Sequence, residues 1–107
     1  MPLNAPDQPV SRHVSQQRLQ ARLDTLARFG ATAKGGVDRL ALSREDALAQ
    51  AQMVRWGHEL GLKASRDPAG NLFLRFEGLD DGLPPVLSGS HLDSQPTGGR
   101  FDGVFGV

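Results

Sequence analysis

From Ser15 onward the apolar residues recur with a helical period. Leu19, Leu23 and Leu26 fall at i, i+4 and i+7, and Phe29 continues the stripe, which predicts an amphipathic helix. Ser15 offers its hydroxyl to the free N–H groups of the first turn, and Gly30 suits the left-handed position that closes a helix. A second helix is predicted to open at Ser43. Glu45 and Asp46 place negative charge at its positive end, and Asp46, three residues on, makes a weaker form of the capping box. Ala47, Ala51 and Val54, with Leu48 beside them, form the expected inner face, and Gly61 the stop. Trp56 is expected to anchor this helix on a sheet.

The period then switches to two. Leu62 to Asp67 and Leu72 to Phe76 read as two strands joined by the turn Asp67-Pro68-Ala69-Gly70-Asn71, a β-hairpin. Residues 77–85 are a loop by composition. Pro85-Val86-Leu87-Ser88-Gly89-Ser90 is short, apolar and β-prone, and reads as a buried central strand. Residues 31–42 have no period, and Gly35-Gly36 marks a loop leading to a short extended piece. Residues 1–14, with three Pro and no apolar run, read as a disordered arm, leaving residues 15–107 as one unit. The predicted class is α/β: two helices, a hairpin and one central strand. A helix starting near Asp102 would run for only about a turn and a half, too short to stand without packing. The expectation is therefore an incomplete domain.

Composition narrows the function classes. The 107 residues carry 12 basic and 12 acidic side chains, a formal net charge of zero, without the electrostatic footprint of a nucleic-acid or membrane-surface binder. No Cys is present, which removes disulfide frameworks and thiolate metal sites. No run approaches the roughly 18 apolar residues of a membrane span, and no secretory signal is evident. A soluble cytoplasmic protein is the expectation.

The candidate chemistry lies in residues 89–103, GSHLDSQPTGGRFDG. Residues i and i+2 of a strand share a face, so His91 and Asp93 can point the same way, and strand ends are where open α/β sheets build ligand sites. His91 can give an imidazole nitrogen to a divalent metal while Asp93 accepts the other ring N–H, fixing the tautomer. Asp102 follows a turn made by Pro96, Thr97, Gly98 and Gly99, and its two oxygens can bridge two ions. The Gly-Gly pair lacks the spacing of a phosphate-cradling loop. His13 falls in the arm and His58 late in the second helix, so neither reads as a ligand. Arg39 and Arg100 read as surface residues, with contact to an anionic substrate as the alternative.

Three stretches, 18–51, 67–78 (DPAGNLFLRFEG) and 84–107 (PPVLSGSHLDSQPTGGRFDGVFGV), together resemble the amidase, hydantoinase/carbamoylase family of zinc-type hydrolases. The resemblance covers residues 15–107 and only the opening part of a family member's catalytic domain. It implies that His91 is the first metal-ligand His, that Asp102 is the carboxylate bridging two ions, and that Asp93 is the supporting catalytic carboxylate. It further implies two Zn2+ ions (or Mn2+, Co2+ or Ni2+) per complete site. The reaction would be metal-assisted hydrolysis of a linear amide or ureido C–N bond in a small molecule such as an N-carbamoyl-amino acid or 3-ureidopropionate. The remaining ligands and the general-base Glu of relatives lie downstream, so these 107 residues are expected to bind metal weakly and to turn nothing over. Gln95-Pro96-Thr97-Gly98-Gly99 is closer to the carbamoylase and ureidopropionase branch than to the allantoate amidohydrolase branch, which stands as the alternative. A non-catalytic truncated product or small binding module is the other alternative. Full-length relatives are expected to be homodimers, an expectation the sequence does not extend to this chain.

Overall fold

The computed structural model describes residues 9–107; the first eight residues of the expected arm lie outside them. Within the rest of that segment Val10–His13 wind into a short 3-10 helix, and the Arg18 guanidinium donates to the His13 carbonyl at 2.6 Å. The first helix, α1, spans Gln16–Leu26, and Ser15 caps it by accepting the Arg18 N–H at 3.1 Å. Leu23 and Leu26 are buried. Gly30 follows at φ +82°, and a Cβ there would run into the carbonyl oxygen of Asp38. Only glycine permits both the left-handed turn and that approach.

The second helix, α2, spans Arg44–Glu59. Its start is a reciprocal cap with a one-residue offset. The Ser43 hydroxyl accepts the Asp46 N–H at 3.1 Å, and the Asp46 carboxylate reaches back to the N–H of Leu42 at 3.0 Å. That bond holds Leu42 at φ +65°, a region that side chains larger than Asn rarely adopt. The buried face differs from the expected one. Asp46, Ala49 and Gly57 are buried, and Met53 and Trp56 pack on the core, whereas Ala47 and Leu48 are exposed. Two close contacts fix this rotation: Asp46 against the preceding turn, and Gly57 against Leu74, where an added Cβ would lie 2.9 Å from Leu74 Cδ2. Trp56 accordingly packs towards α1, with the Arg22 guanidinium 5.4 Å over its ring, and Gly57 makes the approach to the hairpin.

The hairpin forms as the alternation predicts. Strands β1 (Lys63–Arg66) and β2 (Leu72–Arg75) pair antiparallel, Lys63 opposite Arg75 and Arg66 opposite Leu72. In the turn, the Asp67 carboxylate accepts from the Asn71 backbone N–H at 2.9 Å and from its side-chain amide at 2.8 Å. Leu72 and Leu74 turn inwards on β2, while β1 is exposed throughout.

Residues 85–90 are the point of difference. They form no strand; Val86 and Leu87 stand exposed. A strand exists only by pairing, and the described residues hold one sheet, of two strands that pair with each other and not with this segment. The α/β class, the two helices and the hairpin are present; the apolar run remains unpaired. The core is small: Leu23, Leu26, Ala49 and Val104, with Phe29, Met53, Trp56 and Leu92 packed around it. Val104 enters from a closing 3-10 helix, Val104–Gly106. No described helix is long and apolar enough to cross a membrane.

Two predictions follow from the caps and the turn. Replacing Ser43 by Ala removes an N-cap acceptor and should destabilise the fold by about 1 kcal/mol, read as a shift of the urea midpoint followed by circular dichroism. Asp67 is held below the ordinary carboxylate range, first by the Asn71 side-chain bond and then by its backbone N–H. A depressed carboxyl stabilises fully above its unfolded pKa and loses that contribution as pH falls through the folded value. The protection of the Asn71 N–H, its exchange relative to an unstructured peptide at the same pH, should therefore fall on acidification below the usual Asp range, and the Asp67→Ala variant should show no such acid step.

Candidate functional site

The site rests on residues 31–42, the stretch without periodicity. Val37 exchanges backbone hydrogen bonds with Gly98, both 3.0 Å, and bridges Ala31 on its other side. Gly36 permits this approach, since a Cβ there would stand 2.5 Å from the Gly98 carbonyl oxygen. One residue further in, the Ser94 N–H donates to the Arg39 carbonyl at 2.6 Å. The Ser94 hydroxyl accepts the Arg39 N–H at 2.8 Å. The segment 37–39 thus runs beside 94–98 as a short rail beneath the His-x-Asp loop.

Arg39 is not a surface residue: its exposure is 0%. Its Nη1 donates to the carbonyls of Leu26 and Phe29 at 2.7 and 2.8 Å, and its Nε to the carbonyl of Leu92 at 2.8 Å. Burial pulls its pKa down, while the carboxylates of Asp46 and Asp93 oppose that shift. An arginine stays charged under such conditions. Arg100 is also engaged, paired with Asp24 on α1. The Arg39 guanidinium is not turned out to receive an anion.

His91 stands half-exposed at the end of the unpaired segment. Its Nδ1 lies 3.0 Å from the Asp93 carbonyl oxygen and 3.3 Å from Asp93 Oδ1. Both neighbours can only accept, so Nδ1 carries a proton, and in the neutral ring the lone pair is then on Nε2. The ring lies flat against Gly103, where a Cβ would sit 2.6 Å from Nδ1 and 2.5 Å from Nε2. Gly103, at φ +71°, is next in sequence to Asp102. The fold therefore brings the imidazole to Gly103, the residue after Asp102. Asp102 is exposed, and its backbone carbonyl accepts the Val104 N–H at 2.8 Å.

An imidazole with a free Nε2 and an exposed carboxylate are donors that suit a divalent ion such as zinc. Among the described residues no group of three or more His, Asp or Glu side chains could hold a metal. The donor types fit; their number is that of a partial site. His91 and Asp93 also line a groove of about 700 Å³ between α1, α2 and the hairpin, floored by Leu23, Leu26, Trp56 and Leu74. Sequence reasoning placed Arg39 on the surface and passed over Ser94. The rail they form joins residues 55 apart in sequence, and no local pattern reports such a pair.

Comparison with known proteins is consistent in class. No protein-family model matches the chain. A hydantoinase/carbamoylase family amidase from Burkholderia ambifaria superposes with a TM-score of 0.86 at 49% identity, covering 88% of this chain and 23% of that one. An amidase of the same family from Burkholderia multivorans gives 0.85 at 49% identity over the same shares. The N-carbamoyl-L-amino-acid amidohydrolase of a Pseudomonas species is 46% identical over 88% of this chain and 23% of its own length. These relatives are amidases and amidohydrolases by name. The chain belongs to the amidase, hydantoinase/carbamoylase family and spans about a quarter of the length of the relatives it matches.

The stacking of His91 on Gly103 is directly testable. A Gly103→Ala substitution puts a methyl group where the imidazole lies and strains a positive φ, so His91 should leave its place beside Asp93. The imidazole proton resonances should shift markedly, while those of the hairpin stay where they are.

Proposed function

We propose that this chain provides the opening half-site of a metal-dependent hydrolase of linear amide or ureido C–N bonds. The observation that carries it is the His91 ring. Asp93 fixes its Nδ1 as the protonated nitrogen, which leaves Nε2 available at the Asp102-Gly103 turn. In this reading His91 and Asp102 hold two Zn2+ ions (or Mn2+, Co2+ or Ni2+) together with ligands from outside these residues. Asp93 orients the imidazole and raises its basicity. When bound, such ions lower the pKa of a water and polarise the scissile carbonyl. The chain's own part is to present one neutral imidazole and one carboxylate and to keep the imidazole in a single tautomer.

N-carbamoyl-amino acids are the proposed substrate class. The relatives named N-carbamoyl-L-amino-acid amidohydrolase, from Pseudomonas, Rhizobium meliloti and Geobacillus stearothermophilus, are 46%, 41% and 42% identical. The relative named allantoate amidohydrolase, from Bacillus subtilis, is 36% identical. With two candidate ligand side chains where a catalytic zinc takes about three from the protein, the 107 residues alone bind metal weakly and do not complete a turnover.

Titration with Zn2+, followed by calorimetry, tests the reading. The chain should bind the ion, and His91→Ala should abolish binding. Asp93→Ala should weaken it by about 10-fold, the lower end of what losing a histidine's supporting carboxylate costs. Unchanged affinity in the folded His91→Ala variant would remove His91 as a ligand. Hydrolysis of an N-carbamoyl-L-amino acid by the isolated chain with Zn2+ or Mn2+ would contradict the half-site.

A further inference from the structure

Arg39 is a large, wholly buried cation that the half-site reading does not use. Burying a guanidinium is costly unless its N–H groups find acceptors. Nη2 is buried without one; the acceptors of Nη1 and Nε belong to two separate parts of the chain. Nη1 takes the carbonyls of Leu26 and Phe29 at the C-terminal end of α1, where the helix dipole favours a cation. Nε takes the carbonyl of Leu92, the residue between His91 and Asp93. The Arg39 backbone closes the other side through Ser94, by the two bonds described above. Asp93 is therefore flanked on both sides by residues bonded to Arg39.

Nothing else described holds that loop as a strand would, because residues 85–90 pair with no neighbour. We propose that Arg39 is a positioning residue of the site: its guanidinium sets the place of the His91–Asp93 loop against the end of α1, so that the imidazole meets Gly103 with Asp93 behind it. The inference rests on the reading of His91 and Asp93 as site residues. It requires arginine specifically. A planar fork can bond in two directions at once, whereas a lysine ammonium is a single point donor on a flexible stem.

The test is nuclear magnetic resonance on the full 107-residue chain without metal, so that its failure is separate from failure of metal binding. The wild type should show a strong Overhauser contact between His91 Hε1 and Gly103 Hα. Its Arg39 Nε–H should exchange at least about 10-fold more slowly than that of exposed Arg44, as buried hydrogen-bonded groups do. Arg39→Lys and Arg39→Met should both lose the His91–Gly103 contact while keeping those between Gly57 and Leu74. A residue that merely fills the core would lower stability in these variants and leave His91 in place. The proposal is overturned if either folded variant keeps the contact at wild-type intensity. It is overturned equally, whether or not the variants fold, if Arg39 Nε–H in the wild type exchanges as fast as that of Arg44.

Discussion

A single buried guanidinium joins the parts of this fold that apolar packing leaves loosely connected. The core cluster holds four buried side chains, and its contacts lie between the two helices and the closing 3-10 helix. What ties the His-x-Asp loop to that core is polar. Arg39 reaches the carbonyls at the end of α1 with one nitrogen and the Leu92 carbonyl with another. Charge-assisted bonds of this kind are about twice as strong as neutral ones. In a core this small, such a tie decides where the loop lies more than burial of Leu92 alone could.

The elements legible in the sequence are those whose cause is local. Ser15 and Ser43 cap helices because a hydroxyl at that position reaches the third N–H onward, and the hairpin turn closes because Asp67 and Asn71 can bond each other. The inner face of α2 was less legible. Small alanines at a helical spacing gave one candidate face, yet rotation is set by Asp46 bonding back to Leu42 and by Gly57 meeting Leu74. Both are contacts of particular atoms that hydrophobic periodicity does not carry. The run 85–90 shows the same limit from the other side. Its composition suits a buried strand, but a strand is a relation between two segments, and among the described residues the second segment does not exist.

The site divides along the same line. A two-residue spacing and a glycine-rich turn are what make His91, Asp93 and Asp102 candidates in the sequence; in the fold the ring of His91 lies on Gly103. The burial of Arg39 and its bonding to Ser94 escape the sequence for a physical reason. Arginine is among the residues least often fully buried, and the rail that explains its burial joins positions 55 apart. The unpatterned stretch 31–42 was the only sign. A segment that is neither helix nor strand must still satisfy its backbone N–H and carbonyl groups, and Val37 and Arg39 do so against Gly98 and Ser94.

Two kinds of anchorage thus meet at Ser90. Before it, the chain is apolar and unpaired; after it, the backbone is held by Arg39 and by the Val37–Gly98 bridge. The division matters for the chemistry proposed here. An imidazole whose place depended on sheet pairing would be set only where the sheet was built. One whose neighbours are bonded to a buried guanidinium is set by this segment itself. The orientation of His91 and its tautomer then belong to these residues, while the number of further ligands does not. Recognition of an ion and completion of its coordination become separable properties of the fold.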